Sequence, residues 1–81
     1  MPSFHLHLHE CGVVIRDVEG HDYADAAHAL AAATTSAREL MCASLTQGRI
    51  CLSCAIVVED ADGTEIGRVP FGDAVRITAT E

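Results

Sequence analysis

Lysine and tryptophan are absent from this 81-residue chain, and Phe4, Tyr23 and Phe71 are its only phenyl or phenol rings. The basic complement is five arginines against twelve acidic residues, a formal net charge of −7. Binding a nucleic acid needs basic side chains dense enough to displace counterions from phosphates, and an anionic lipid surface needs a basic cluster. Arg16, Arg38, Arg49, Arg68 and Arg76 are scattered, so neither nucleic acid nor membrane is an expected partner. No apolar run reaches the roughly 18 residues of a membrane span, and Met1-Pro2-Ser3-Phe4-His5-Leu6 has no basic region leading into an apolar run as a secretory signal does. A cytoplasmic location is therefore expected, with the four cysteines as reduced thiols. Missing too are a Gly-x-Ser-x-Gly elbow, a phosphate-cradling glycine loop and a metalloprotease signature. Abundant Ala and Arg without Lys suggests a GC-rich bacterial genome.

Proline occurs only at positions 2 and 70, so nothing between them is broken by it. The chain is organised around Asp25 to Gln47, read as an amphipathic helix. Ala24 to Leu45 contains no glycine or proline, and alanine, the best helix former, dominates it. Ala27, Leu30, Ala33, Ala37, Leu40, Met41 and Leu45 recur at steps of three and four and make an apolar stripe, with Leu30, Leu40 and Met41 as its large anchors. Asp22 or Asp25 caps the start, and Gly48 stops the helix.

Strands are expected around it. Ser3 to His9 alternates Phe4, Leu6 and Leu8 with His5, His7 and His9, the period of a half-buried strand. Glu10-Cys11-Gly12 reads as a turn into a short strand, Val13 to Arg16, and Asp17 to His21 as a turn leading to the helix. Cys51 to Glu59 is an apolar run read as a strand. Asp60-Ala61-Asp62-Gly63 turns it into Thr64 to Val69, which Pro70 ends. Phe71 to Thr78 is a turn or helical piece with a final edge strand at Val75 to Thr78. A single domain follows, residues 1–81: an α+β, two-layer strand-strand-helix-strand-strand fold, a mainly antiparallel sheet with one long helix on one face. A chain this short buries only about 60% of its unfolded surface.

Phe4-His5-Leu6, Asp17-Val18-Glu19-Gly20, Ala37-Arg38-Glu39-Leu40, Val58-Glu59-Asp60-Ala61-Asp62-Gly63 and Val69-Pro70-Phe71-Gly72-Asp73-Ala74 follow one another in this order. The pattern, spanning nearly the whole chain, resembles a family of small uncharacterised bacterial domains of unknown function, common in alphaproteobacteria. The resemblance implies no activity, cofactor or catalytic residue. This chain departs from that family in His7, His9, Cys11 and its cysteine count.

Three groups of residues bear on chemistry. His5, His7 and His9 share one strand face, about 6–7 Å apart, with Cys11 in phase if the strand continues. Two of these, completed by Cys11 or a cross-strand residue, suit one Zn, Ni or Cu ion; the plainer account is the polar face of an amphipathic strand. Cys51-Leu52-Ser53-Cys54 has the Cys-x-x-Cys spacing of metal and redox pairs. Inside a strand, however, residues three apart point to opposite faces, so Cys51, Cys54 and Cys42 are expected as small buried hydrophobes. His21, Asp22, Asp25 and His28 gather at the helix start, where capping accounts for the carboxylates. A Cys11–His9 pair is the only nucleophile arrangement in view, and one helix on a small sheet offers little room for a catalytic cleft.

The expected function is thus a small cytoplasmic interaction domain without catalysis, with no resident cofactor, the alternative being a metal-binding or metal-sensing module on the histidine strand. Leu52, Cys54, Ile56 and Val58 against Ala55 and Val57 make a strand apolar on both faces, and one helix covers only one face. The uncovered apolar surface calls for a homodimer, for another protein partner, or for a C-terminal segment anchored by Phe71.

Overall fold

The computed structural model describes residues 1–78. It contains β1 (Ser3–Glu10), β2 (Val13–Ile15), β3 (His21–Asp22), α1 (Ala26–Leu45), β4 (Ala55–Asp60), β5 (Glu65–Pro70) and α2 (Phe71–Ala74). The strands form one antiparallel sheet in the order β2-β1-β4-β5, with β3 also paired to β1. Both helices pack together on the face that presents Phe4, Ile56 and Val58. The two-layer α+β architecture is the one expected. Among the described residues no helix is long and apolar enough to cross a membrane.

Each strand end has a local cause. Cys11 and Gly12 both take positive φ, 48° and 81°, closing the β1–β2 hairpin with a two-residue turn whose backbone matches strand twist. At the β4–β5 hairpin the Asp60 carboxylate accepts the N–H groups of Asp62 and Thr64 at 2.9 and 3.0 Å, an Asx turn that gives the loop its shape. Asp25 caps α1 through the His28 N–H at 2.9 Å. Asp22 instead belongs to β3, pairing with Ser3, whose hydroxyl donates to it at 2.8 Å.

The buried stripe of the helix keeps Leu30, Ala33, Ala37 and Met41 of the expected one but is turned toward Ala29. Ala29, Ala33, Ala37 and Met41 are buried, with Leu30 partly so, while Ala27, Leu40 and Leu45 are exposed. In an alanine-rich helix several faces read as apolar, and the larger residues bias the choice of stripe. The middle of the buried stripe is Ala29, Ala33 and Ala37, small residues that let the backbones come close, with Leu30 and Met41 beside them. A Cβ on Gly67 would sit 2.9 Å from Leu30 Cδ2, so a side chain there would require the end of that leucine to shift.

Three further expectations are corrected. Cys51–Cys54 lies in a turn before β4, whose pairing with β1 begins at His9↔Ala55. Cys42 is exposed, on the far side of the alanine stripe. Val75–Thr78 is not a strand: Phe71 and Ala74 are buried against α1, Arg38 Nε donates to the Ala74 carbonyl at 2.7 Å, and the chain after α2 leaves the sheet. Phe71 thus anchors the helix layer. The second face of β4 is closed differently: Ala55 and Val57 are buried there among their cross-strand neighbours His9, His7 and Arg68.

Filling the close approach should destabilise the domain, whereas altering the exposed leucine should not. Ala33→Leu is expected to cost about 1–3 kcal/mol by overpacking, against a total of about 5–15 kcal/mol for a small domain. Leu40→Asp should cost under about 1 kcal/mol. Urea melts followed by circular dichroism measure both, and a larger loss for Leu40→Asp than for Ala33→Leu contradicts the packing described.

Candidate functional site

Cys11 and the Cys51–Cys54 turn meet at one end of the sheet. Antiparallel pairing sets the C-terminal end of β1 beside the N-terminal end of β4, so the turn after β1 and the loop before β4 occupy the same place. The Cys11, Cys51 and Cys54 sulfurs all lie within 4.8 Å of one another. Cys54 donates its S–H to Cys51 at 2.8 Å, and Cys51 also lies 3.3 Å from the Ser53 hydroxyl. The Cys54 carbonyl accepts the Phe71 N–H at 2.8 Å, which ties the loop to the start of α2. Cys54 is buried, Cys51 half-buried and Cys11 exposed.

Cys11 is the one non-glycine residue at positive φ among those described. That conformation costs an L-residue roughly 1–2 kcal/mol, and such strain concentrates where a side chain has to be aimed. Here it aims the Cys11 thiol at the other two.

The three thiols have separated proton affinities. The Cys51 thiol is lowered to about 6, chiefly by the Cys54 S–H, then by the Ser53 hydroxyl and N–H. Burial, then the Cys51 sulfur beside it, pushes Cys54 up to about 12. Cys11 is raised by its hydrogen bond to Cys51 and by the charge there. Cys51 is thus the most acidic of the three, with the Cys54 S–H donating to it. Two concavities adjoin it: one of about 510 Å³ bounded by Cys11, Cys51, Arg49 and Ile50, and one of about 180 Å³ bounded by Cys51, Cys54, Met41 and Phe71. Glu10 and Arg49 line both.

The histidine strand is arranged otherwise. His5 and His7 stack with ring centroids 5.9 Å apart. His7 is buried with both ring nitrogens engaged: Nδ1 accepts the Asp17 N–H at 3.0 Å, and Nε2 donates to Glu59 Oε1 at 3.0 Å. His5 Nδ1 donates to the Asp17 carbonyl at 2.6 Å. The Asp17 carboxylate accepts the N–H groups of Leu6 and Gly20, each at 3.1 Å, filling the gap that β2 and β3 leave along the edge of β1. Burial pushes that carboxyl up, and the two N–H donors with His21 and His5 outweigh it, so Asp17 is lowered overall. A concavity of about 370 Å³ lies alongside, walled by His5, His7, Arg16, Asp17, Glu59 and Asp62.

Of the expected metal set His5, His7, His9 and Cys11, only Cys11 joins a group of three convergent ligand atoms among the described residues, and its companions are Cys51 and Cys54. Ligation by His7 would require the loss of one of its two hydrogen bonds. The residues at the helix start separate: Asp25 pairs with His28 at 2.7 Å, while His21 faces Asp17 at 3.8 Å and Asp22 holds Ser3. Sequence reasoning missed the Cys-x-x-Cys pair as a convergent pair. The available signal was the two-residue Cys11-Gly12 turn together with antiparallel pairing of the first and third long strands, which brings all three cysteines to one end.

Residues 3–72 match the family described as Domain of unknown function (DUF6894), and the chain belongs to that family. No curated protein and no solved structure matches it.

Because Cys51 is an acid lowered to about 6, its thiolate is present above that pH and is lost as pH falls through it. An ordinary peptide thiol near 8.5 is almost wholly protonated at pH 6. Cys51 should then hold roughly 150-fold more thiolate, of which its lower intrinsic nucleophilicity removes about tenfold. Alkylation by iodoacetamide at pH 6, mapped by mass spectrometry, should be about tenfold faster at Cys51 than in an unfolded cysteine peptide, with a rate midpoint near 6. A midpoint above 8 contradicts the hydrogen bonding described.

Proposed function

We propose that this domain is a metal-binding module, without catalysis of its own, that holds a soft cation of the Zn²⁺ or Cu⁺ class on the thiolates of Cys11, Cys51 and Cys54. One observation carries the reading: three sulfurs from two distant segments lie within 4.8 Å of one another. Thiolates at about 2.3 Å from a zinc ion stand about 3.8 Å apart, so a small opening of the Cys51–Cys54 pair fits the cluster to such an ion. Soft sulfur donors favour Zn²⁺ and Cu⁺ over hard cations. Three thiolates alone satisfy Cu⁺, whereas Zn²⁺ takes a fourth donor, for which water or the nearby Glu10 carboxylate is available. The Cys11 turn supplies the preorganisation, and a metal displaces the protons that Cys11 and Cys54 retain.

Calorimetry at pH 7.5 tests it, on reduced protein without a polyhistidine tag. Zn²⁺ should bind one per chain, with proton release visible as a dependence of the heat on the buffer. Cys51→Ser should weaken binding on the order of 100-fold or more, while the double variant His5→Gln, His9→Gln should bind as the parent does. No heat, or loss of binding only in the histidine variant, would return the metal to the histidine strand or remove it.

Self-association is a second reading, favoured by β2. Val13, Val14 and Ile15 are 60%, 47% and 54% exposed on a strand with one unpaired edge, and apolar edges left open invite pairing with another chain. A homodimer joined through two β2 edges satisfies both the backbone and the side chains. Light scattering should give about twice 8.6 kDa, and Val14→Lys should return the monomer with its circular dichroism unchanged. A parent protein monomeric at millimolar concentration excludes it.

A further inference from the structure

The relation of Cys51 to Cys54 carries a step that metal binding does not need. Their sulfurs stand 2.8 Å apart, already nearer than the roughly 3.8 Å between thiolates on one zinc ion, and closing to a disulfide of about 2.05 Å is a small movement. Both belong to a turn outside the sheet, so the movement breaks no strand pairing. Their access differs in the way a thiol exchange pair requires. Cys51 borders the concavity of about 510 Å³, whose wall carries the Arg49 guanidinium, able to meet a carboxylate, beside Glu10. Cys54 is 1% exposed, shielded from the reagent yet in contact with Cys51. Cys11 approaches the cluster from the other side, on the β1–β2 turn, and no thiol hydrogen bond as short as that between Cys54 and Cys51 joins it to either of them.

We propose that Cys51 and Cys54 are a reversible redox switch: oxidation by a glutathione-type disulfide joins them and empties the metal site. The metal half rests on the function proposed above; the disulfide half does not. The Cys51 thiolate attacks one sulfur of the oxidised tripeptide, forming a mixed disulfide and expelling the first tripeptide as thiolate. That thiolate takes the Cys54 proton. Cys54 then attacks the Cys51 sulfur, the mixed bond breaks, and the second tripeptide leaves as thiolate to be protonated by solvent. Two protein thiols have lost two electrons and two protons, and one disulfide has become two thiols. Cys11 alone cannot hold the ion, so the metal is released; a reducing dithiol reverses the sequence.

Metal-free and zinc-loaded protein are each incubated with oxidised glutathione at pH 7.5 and followed by intact mass, peptide mapping and a zinc chromophore. The metal-free chain should lose two hydrogens, with the bridge mapped to Cys51 and Cys54. Cys54→Ser should stop with one glutathione on Cys51, and Cys11→Ser should still form the bridge. Zinc-loaded protein should release one zinc per bridge formed and recover it after reduction. A chain that stays reduced, or a bridge mapped to Cys11, overturns the switch. A bridge that forms with zinc retained overturns the coupling. If metal-free protein forms the bridge but never binds zinc in the titration, the metal reading fails while the disulfide pair stands, so the two failures are told apart.

Discussion

The antiparallel pairing of β1 with β4 is the constraint on which the rest of the molecule depends. Phe4↔Asp60 through His9↔Ala55 is the longest ladder in the sheet, and both strands are central. It supplies Phe4, Ile56 and Val58 to the core under α1. On the other face it sets His7 beside Val57, where both are buried. Because a shift of one residue would turn every side chain to the opposite face, the apolar requirement of the core and the polar requirement of His7 enforce the same register. That register also ends the ladder where it does, which brings the Cys11 turn and the Cys51–Cys54 turn together.

The two ends and faces of the sheet are built from different materials. Under α1 the packing is close, and it is small side chains, Ala29, Ala33 and Ala37, that permit it. On the opposite face burial is achieved with hydrogen bonds: His7 between Asp17 and Glu59, and the Asp17 carboxylate on two N–H groups of the chain. A buried imidazole with both nitrogens engaged is a fixed strut, satisfied without a metal. The thiol cluster is the opposite case, with three titratable groups sharing too few protons, one of them on a strained turn. Unequal proton affinities at neighbouring sulfurs are what a metal or an oxidant exploits.

Much of the fold was legible in the sequence for local reasons. The alternation of Ser3 to His9, the Asp60–Gly63 turn and the Asp25 cap each follow from neighbouring residues, and each is present. The edges of the α1 stripe were not, because Ala-rich faces look alike until a sheet chooses among them: Ala33, Ala37 and Met41 are buried as expected, but Leu40 proved exposed and Ala29 buried. β3 was read as turn, since two residues carry no period. The candidate site was the least legible part. Cys51 and Cys54 read as strand because Cys51 to Val58 is continuously apolar apart from Ser53; β4 starts where its pairing with β1 starts, a contact between residues more than forty positions apart. The Cys11 pairing depends on the same non-local fact. Family membership names no chemistry for the cluster.

On the proposed reading, any metal is held by the sulfurs at the end of the sheet and not by the nitrogens of the histidine strand. Zinc X-ray absorption of the protein loaded with one Zn²⁺ per chain tests it most directly. The account predicts a first shell of three sulfurs at about 2.3 Å and one lighter atom at about 2.0–2.2 Å. A shell of nitrogen and oxygen with imidazole scattering and fewer than two sulfurs would contradict it.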